Sequence, residues 1–299
     1  MLNNRLAVTA IAPAIWGTTY LVTSELLPPD RPLLAAVLRA LPAGLLLTAV
    51  SRQLPRGDWW WRSLVLGTLN IGAFFALLFV AAYRLPGGVA ATVGAIQPVL
   101  VACLSAGLLG ERLRTGTIVA GAAGVAGVSM LVLRADARLD ALGVTAALGG
   151  AIVMATGVVL AKRWRSPASP LTTTGWQLIA GGLVLLPLMA VVEGLPPALS
   201  AANVAGYAYL TIIGAAIAYP LWFRGIRALS PTNVTFLGLL SPLVATALGW
   251  LVLDQRLTAA QLAGGLLVLA AVIAPQLMKE KEKPCASLSS ARPALSAAK

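Results

Sequence analysis

Ten runs of mostly apolar residues fill this chain from Leu6 to about residue 277, and the polar residues gather in the gaps between them. The runs cover residues 6–27, 33–50, 63–83, 87–109, 116–133, 141–161, 171–192, 203–223, 231–253 and 259–277. A helix that crosses the roughly 30 Å hydrocarbon core of a bilayer needs about 20 apolar residues, so each run predicts one transmembrane helix. The breaks carry turn chemistry, with Pro28-Pro29-Asp30, Pro55-Arg56-Gly57, Pro86-Gly87-Gly88, Ser166-Pro167, Pro196-Pro197 and Ser230-Pro231. The connectors are short, so neighbouring spans run antiparallel. The first run continues to about Leu27 without a small-residue cleavage site, and is expected to be a retained span rather than a signal peptide.

One pattern occurs twice. GAIQPVLVACLSAGLLGER, from Gly94 to Arg112, returns as GLLSPLVATALGWLVLDQR, from Gly238 to Arg256, at an offset of 144 that sets Pro98 on Pro242 without a gap. PLLAAVLRALPAGLLL, from Pro32, aligns with PLTTTGWQLIAGGLVL, from Pro170, at an offset of 138, and sets Arg39 on Gln177. Internal repeats of this length define the architecture. The expected fold is an all-α polytopic membrane protein whose ten transmembrane helices form two five-helix repeats, 1–138 and 139–278, followed by a disordered cytoplasmic tail, 279–299. Five is odd, so the second copy starts on the opposite side of the membrane and the repeats are inverted. Exchanging the conformations of two such halves turns an outward-open cavity into an inward-open one.

Composition agrees. Of 299 residues, 59% are hydrophobic and 11% charged, and the mean hydropathy is +0.86, against about 25% charged in ordinary soluble domains. The net charge of +12 would point to nucleic acid in a soluble protein, but here the Lys and Arg residues sit in connectors and set topology. Alternate connectors, counted with both ends of the chain, carry sixteen basic residues against five, which predicts cytoplasmic N- and C-termini and a multi-pass protein of a bacterial inner membrane. Trp59-Trp60-Trp61 reads as an interfacial anchor. Cys103 and Cys285 supply neither a disulfide framework nor metal-ligand spacing, and histidine is absent. No metal and no cofactor is expected, and without a G-x-x-x-x-G-K-[ST] run ATP is not the driver. An intramembrane hydrolase would need a nucleophile with its base or a metal set.

A transporter site belongs near the midplane, where repeats meet and helices break. Pro98 and Pro242 fall near the middle of spans four and nine, where a proline removes a backbone hydrogen bond and frees a carbonyl. Gln97 beside Pro98 brings donors and an acceptor into low dielectric, and Ser241 is its counterpart. Trp16, Asn70, Phe74, Met154 and Thr156 lie at similar depth, and Tyr20 shares the face of Trp16 by i, i+4 spacing. These eight are the candidate substrate-binding residues, and Gly214 of span eight lies at the same depth. Tyr83, Tyr219 and Trp222 sit nearer span ends and serve either as gates or as an interfacial belt. Arg39 is the one charge well inside a span, and three roles compete for it: receiving a substrate carboxylate, pairing with Glu25, or snorkelling. Gly121, Gly124 and Gly127 form a smooth face for close helix packing, and Glu111 ends span four.

Ten helices in two repeats, with a proline-bearing fourth helix ending in Gly110-Glu111-Arg112 and a first helix carrying Trp16-Gly17-Thr18, resemble the EamA repeat of the drug/metabolite transporter superfamily over residues 6–277. The second copy departs from it at Asp254-Gln255-Arg256 and Ala155-Thr156-Gly157. The resemblance implies export of small metabolites, with amino acids as the expected class and drugs, amines or nucleotide-type metabolites as the alternative. The implied partners are that small molecule and the lipid bilayer, and two halves in one chain suit a monomer. No Asp or Glu lies in the central part of any span. Without a carboxylate or histidine there is no proton relay, and the expectation is a facilitator moving substrate down its gradient.

Overall fold

The computed structural model describes residues 2–85, 87–132, 140–194, 198–252 and 257–280. The candidates Tyr20 and Tyr83 are described in their helical backbones only, and the segment 281–299 and the motif Asp254-Gln255-Arg256 lie outside the described residues.

Among the described residues, ten helices are long and apolar enough to cross a membrane. They are α1 (Leu2–Leu26), α2 (Pro32–Ser51), α3 (59–84), α4 (87–109), α5 (Thr115–Val132), α6 (Ala141–Trp164), α7 (Pro170–Val192), α8 (Ala201–Ala228), α9 (231–252) and α10 (Ala259–Glu280). Their starts follow local chemistry. Proline occupies the first position of α2, α7 and α9, where its missing N–H costs nothing. The side chains of Asp140, Ser169, Ser200 and Ser230 accept backbone N–H groups at the starts of α6, α7, α8 and α9. The N-terminus of α2 is capped from a distance: both Glu193 oxygens, just past α7, accept the N–H groups of Leu33 and Leu34, where a carboxylate also meets the positive helix end.

α4 and α9 are each broken three residues before their proline. α4 consists of Gly87–Gly94 and Gln97–Leu109, and α9 of Pro231–Leu237 and Leu240–Val252. Pro98 has no N–H for the Gly94 carbonyl and Pro242 none for Gly238, so the chain closes tighter turns there, with Val99 N–H on Ile96 and Ser241 N–H on Gly238.

Interruptions of a second kind carry no sequence mark. Inside α3 the ladder widens to a π-turn at Thr68–Ala73, and inside α8 at Ile212–Ile217. The two turns are 144 residues apart at both ends, the offset of the repeated proline motif. A π-turn inserts one residue and displaces carbonyls from their usual donors.

The packing follows the repeat. α2 lies along α7 and α5 along α10; α1 packs on α8 and α9, and α6 on α3 and α4; α3 meets α7, and α8 meets α2. Exchanging each helix for the one five places away reproduces these contacts, as inverted repeats would. Glycines set the separations. A Cβ on Gly127 of α5 would stand 2.9 Å from the Gly264 oxygen of α10, and one on Gly264 would stand 2.7 Å from the Gly127 oxygen. Gly121 faces Val99 and Gly124 faces Leu239, so the expected smooth face on α5 is a packing face.

Replacing Gly127 with Leu should push α5 and α10 apart and cost about 1–3 kcal/mol, lowering the apparent melting temperature in detergent. Gly107→Leu, where an added Cβ meets nothing within 4 Å, should leave the midpoint unchanged. Equal midpoints for the two variants would show that the crossing is not limiting.

Candidate functional site

The π-turn of α8 organises the site. Its residue Gly214 sits at the middle of the span, and its carbonyl oxygen accepts two side chains from the other half of the protein. Trp16 Nε1 of α1 donates at 3.1 Å and Arg39 Nη2 of α2 at 3.0 Å. Arg39 lies seven residues into α2, about 10 Å along its axis. Its guanidinium therefore points to mid-membrane rather than to the surface, and its partner is a carbonyl rather than Glu25, which corrects both the snorkelling and the ion-pair expectations. The guanidinium also lies over the rings of Phe75 and Tyr219, 5.7 and 5.8 Å from their centroids. These rings are themselves 144 residues apart, so equivalent positions of the two halves flank one arginine.

Around this centre stand Trp16, Tyr219 and Trp222. The Trp16 ring is 5.0 Å from Tyr219 and 5.2 Å from Trp222, and Tyr219 stacks on Phe223 at 6.2 Å. Tyr219 and Trp222 are 3% and 2% exposed; their contact is with Trp16 and not with an interface, which corrects the aromatic-belt alternative. Two buried donors of the cluster have no acceptor, Arg39 Nε and Trp222 Nε1.

The other half places different chemistry in the same position. Asn70, in the π-turn of α3, donates from Nδ2 to Gln177 Oε1 of α7 at 2.8 Å, and Gln177 Nε2 donates to the Thr173 oxygen at 3.3 Å. Gln177 is the repeat counterpart of Arg39, and Asn70 that of Gly214. Gly157 of α6 lies directly against Asn70 Oδ1, where a Cβ would collide. A cavity of about 430 Å³ reaches Gln177 from the basic end of the bundle, lined by Trp59, Lys162, Arg165, Arg227, Gln177 and Phe223 among others. Phe223 both lines it and stacks on Tyr219, the ring over which Arg39 lies.

Trp16, Tyr219, Trp222 and Arg39 come together around the Gly214 carbonyl, and Asn70 instead pairs with Gln177. Phe74 is half-buried, and its neighbour Phe75 is the ring that reaches Arg39. Met154 is buried in the main apolar core. The Thr156 hydroxyl bonds back to the Ile152 oxygen of its own helix at 2.8 Å. Gln97 opens the second half of α4 and Ser241 lies just after the break in α9. The Ser241 carbonyl comes close to Gly17, beside Trp16, where a Cβ would be 2.7 Å away. Pro98 and Pro242 mark the breaks described above. Gln177 and Phe75 were not singled out as site residues. The alignment that set Gln177 on Arg39 held the only sequence signal for it.

The EamA-like transporter family matches this chain twice, at residues 6–133 and 141–274. The chain belongs to this family. A relative, protein PecM of Dickeya dadantii (strain 3937), is 49% identical over 267 residues, covering 89% of this chain and 90% of PecM. The inner membrane transporter YedA of Escherichia coli (strain K12) is 30% identical over 265 residues, 87% of this chain and 86% of YedA. One crystal structure superposes with a TM-score of 0.80 over 94% of this chain and 99% of its own, at 21% identity, and shows the shared fold. As an EamA-like protein the chain is a multi-pass membrane transporter.

The amide pair should behave as a coupled unit. Asn70→Ala and Gln177→Ala each leave a buried amide without its partner and should cost about 1–3 kcal/mol. The double variant should cost less than their sum by about 0.6–1.7 kcal/mol, the range of interhelical hydrogen bonds in a bilayer. Thermal unfolding of the four proteins in one detergent gives the cycle, and strict additivity would refute the coupling.

Proposed function

We propose that this transporter exports small metabolites, amino acids foremost, across a bacterial inner membrane, and that it does so by alternating access as a facilitator. The observation that carries the reading is the cluster at the Gly214 carbonyl, where α1 and α2 of one half meet α8 of the other around aromatic rings and unpaired donors. A ligand held there touches both halves, so rocking one against the other carries it from one face to the other. Trp16, Tyr219 and Trp222 supply contact area for varied side chains, and the donors supply polarity for the invariant part of an amino acid. Tyr219 and Phe223 are the inner gate in this reading, between the centre and the cavity at the basic end. The excess of Lys and Arg at that end supports its being cytoplasmic, with both termini. The printed name of YedA supports the inner membrane.

Among the described residues, Glu25 and Glu193 lie at helix ends and the central cluster contains no carboxylate, which supports flux without a proton. A cationic drug would meet the positive charge of Arg39, so amines and drugs suit this centre less well than zwitterions or acids. Each chain holds both halves, and a monomer suffices.

Sealed proteoliposomes offered radiolabelled amino acids, with and without a pH gradient, test the proposal. Wild-type protein should give flux independent of the pH gradient. Trp16→Ala should lower the initial rate about tenfold or more, equivalent to 1.4 kcal/mol or more. Absence of amino-acid flux under any gradient would reject the substrate class, and flux that strictly requires a proton gradient would reject the facilitator.

A further inference from the structure

The two halves give the same position to two unlike residues, and only one of them is satisfied. Gln177 uses both ends of its amide, one on Asn70 and one on Thr173. This is how a polar side chain that only joins helices should look. Arg39 instead shares a single carbonyl with Trp16, and its Nε is buried with nothing to donate to. A guanidinium keeps its charge and presents five donors in a planar fork. At mid-membrane such a charge is costly and is normally met by an acceptor set or a counter-charge. The rings of Phe75 and Tyr219 stabilise the cation through their faces but accept no hydrogen bond. Trp222 Nε1, in the same ring cluster, is a further donor without an acceptor. The centre is thus rich in donors, positively charged and walled by aromatic rings. The chemistry it lacks is an anion with two coplanar oxygens on an apolar body.

We propose that Arg39 is the receptor for a substrate carboxylate, so that the transported class is carboxylic acids carrying a planar or bulky apolar group, whether or not they also carry an ammonium. This rests on the reading of the Gly214 cluster as the substrate site and narrows it. The carboxylate takes the Nε edge of the guanidinium, the arrangement in which Arg–carboxylate pairs form two parallel hydrogen bonds, while Trp16, Tyr219 and Trp222 cover the apolar body. Occupation by a simple carboxylate neutralises the fixed charge, whereas a zwitterion pairs its carboxylate with Arg39 and leaves the net charge of the centre unchanged.

The test uses the purified full-length chain in detergent, with its own tryptophan fluorescence as reporter, since Trp16 and Trp222 lie in the cluster. The probes are phenylalanine, 3-phenylpropionate and the isosteric neutral 3-phenylpropanamide. Wild type should bind 3-phenylpropionate at least about tenfold more tightly than the amide, the loss expected when a charge-assisted pair becomes a neutral one. In Arg39→Gln, which installs the residue the other half carries at this position, the acid and the amide should bind within about twofold of each other. In Arg39→Lys, which retains the charge without the planar fork, the preference should shrink and not vanish, giving a second readout if the glutamine variant fails to fold. Wild type binding acid and amide alike, binding neither, or either variant retaining the full preference would overturn the proposal. Binding of 3-phenylpropionate over its amide with no binding or flux of phenylalanine would leave the carboxylate receptor standing and remove amino acids as the class. Phenylalanine bound equally by wild type and Arg39→Gln would do the reverse.

Discussion

Lipid offers no hydrogen bonds, so every backbone group displaced from a helix ladder inside a bilayer must find a partner within the protein. The fold turns on that constraint at Gly214. The Gly214 carbonyl lies within the π-turn of α8 at mid-span, and it accepts from α1 and α2 across the boundary between the halves. One oxygen thereby fixes the ring of Trp16, the head of Arg39 and, through their contacts, Tyr219, Phe75 and Trp222. The aromatic and charged centre follows from satisfying one backbone group.

The same device in α3 has a quieter outcome. Asn70 occupies the π-turn, and its side chain donates to Gln177 across to α7. A scaffold built on two similar halves thus holds a neutral amide pair, whose Asn70 Oδ1 is left without a partner, at one position and a charged, donor-rich cluster at the other. The unlike residues at equivalent positions, Arg39 and Gln177, give the two halves different chemistry. The apolar surroundings matter as much, since a guanidinium near a single carbonyl would be unremarkable in water and is consequential beside rings in a low dielectric.

Glycine governs how closely the helices approach. α5 and α10 cross with Gly127 and Gly264 facing each other's backbone oxygens, and the closeness there leaves no room for side chains to interlock. The breaks in α4 and α9 lie beside helices packed in this way.

The sequence by itself determined the number of spans, because hydropathy over about 20 residues is a local property. It also determined the breaks in α4 and α9, because a proline cannot donate whatever surrounds it. The offsets of 144 and 138 already paired Pro98 with Pro242 and Arg39 with Gln177. Trp16, Asn70 and Arg39 were legible as candidates from their depth and chemistry. Tertiary structure alone decided their partners. Trp16 and Arg39 meet Gly214 across 198 and 175 residues of sequence, and Asn70 meets Gln177 across 107. It decided that Phe75 rather than Phe74 faces the arginine, that Thr156 is held within its own helix, and that Tyr219 and Trp222 lie inside the protein. The π-turns carry no residue signature: whether a helix can widen by one residue depends on which distant donors stand ready to receive the carbonyl it displaces.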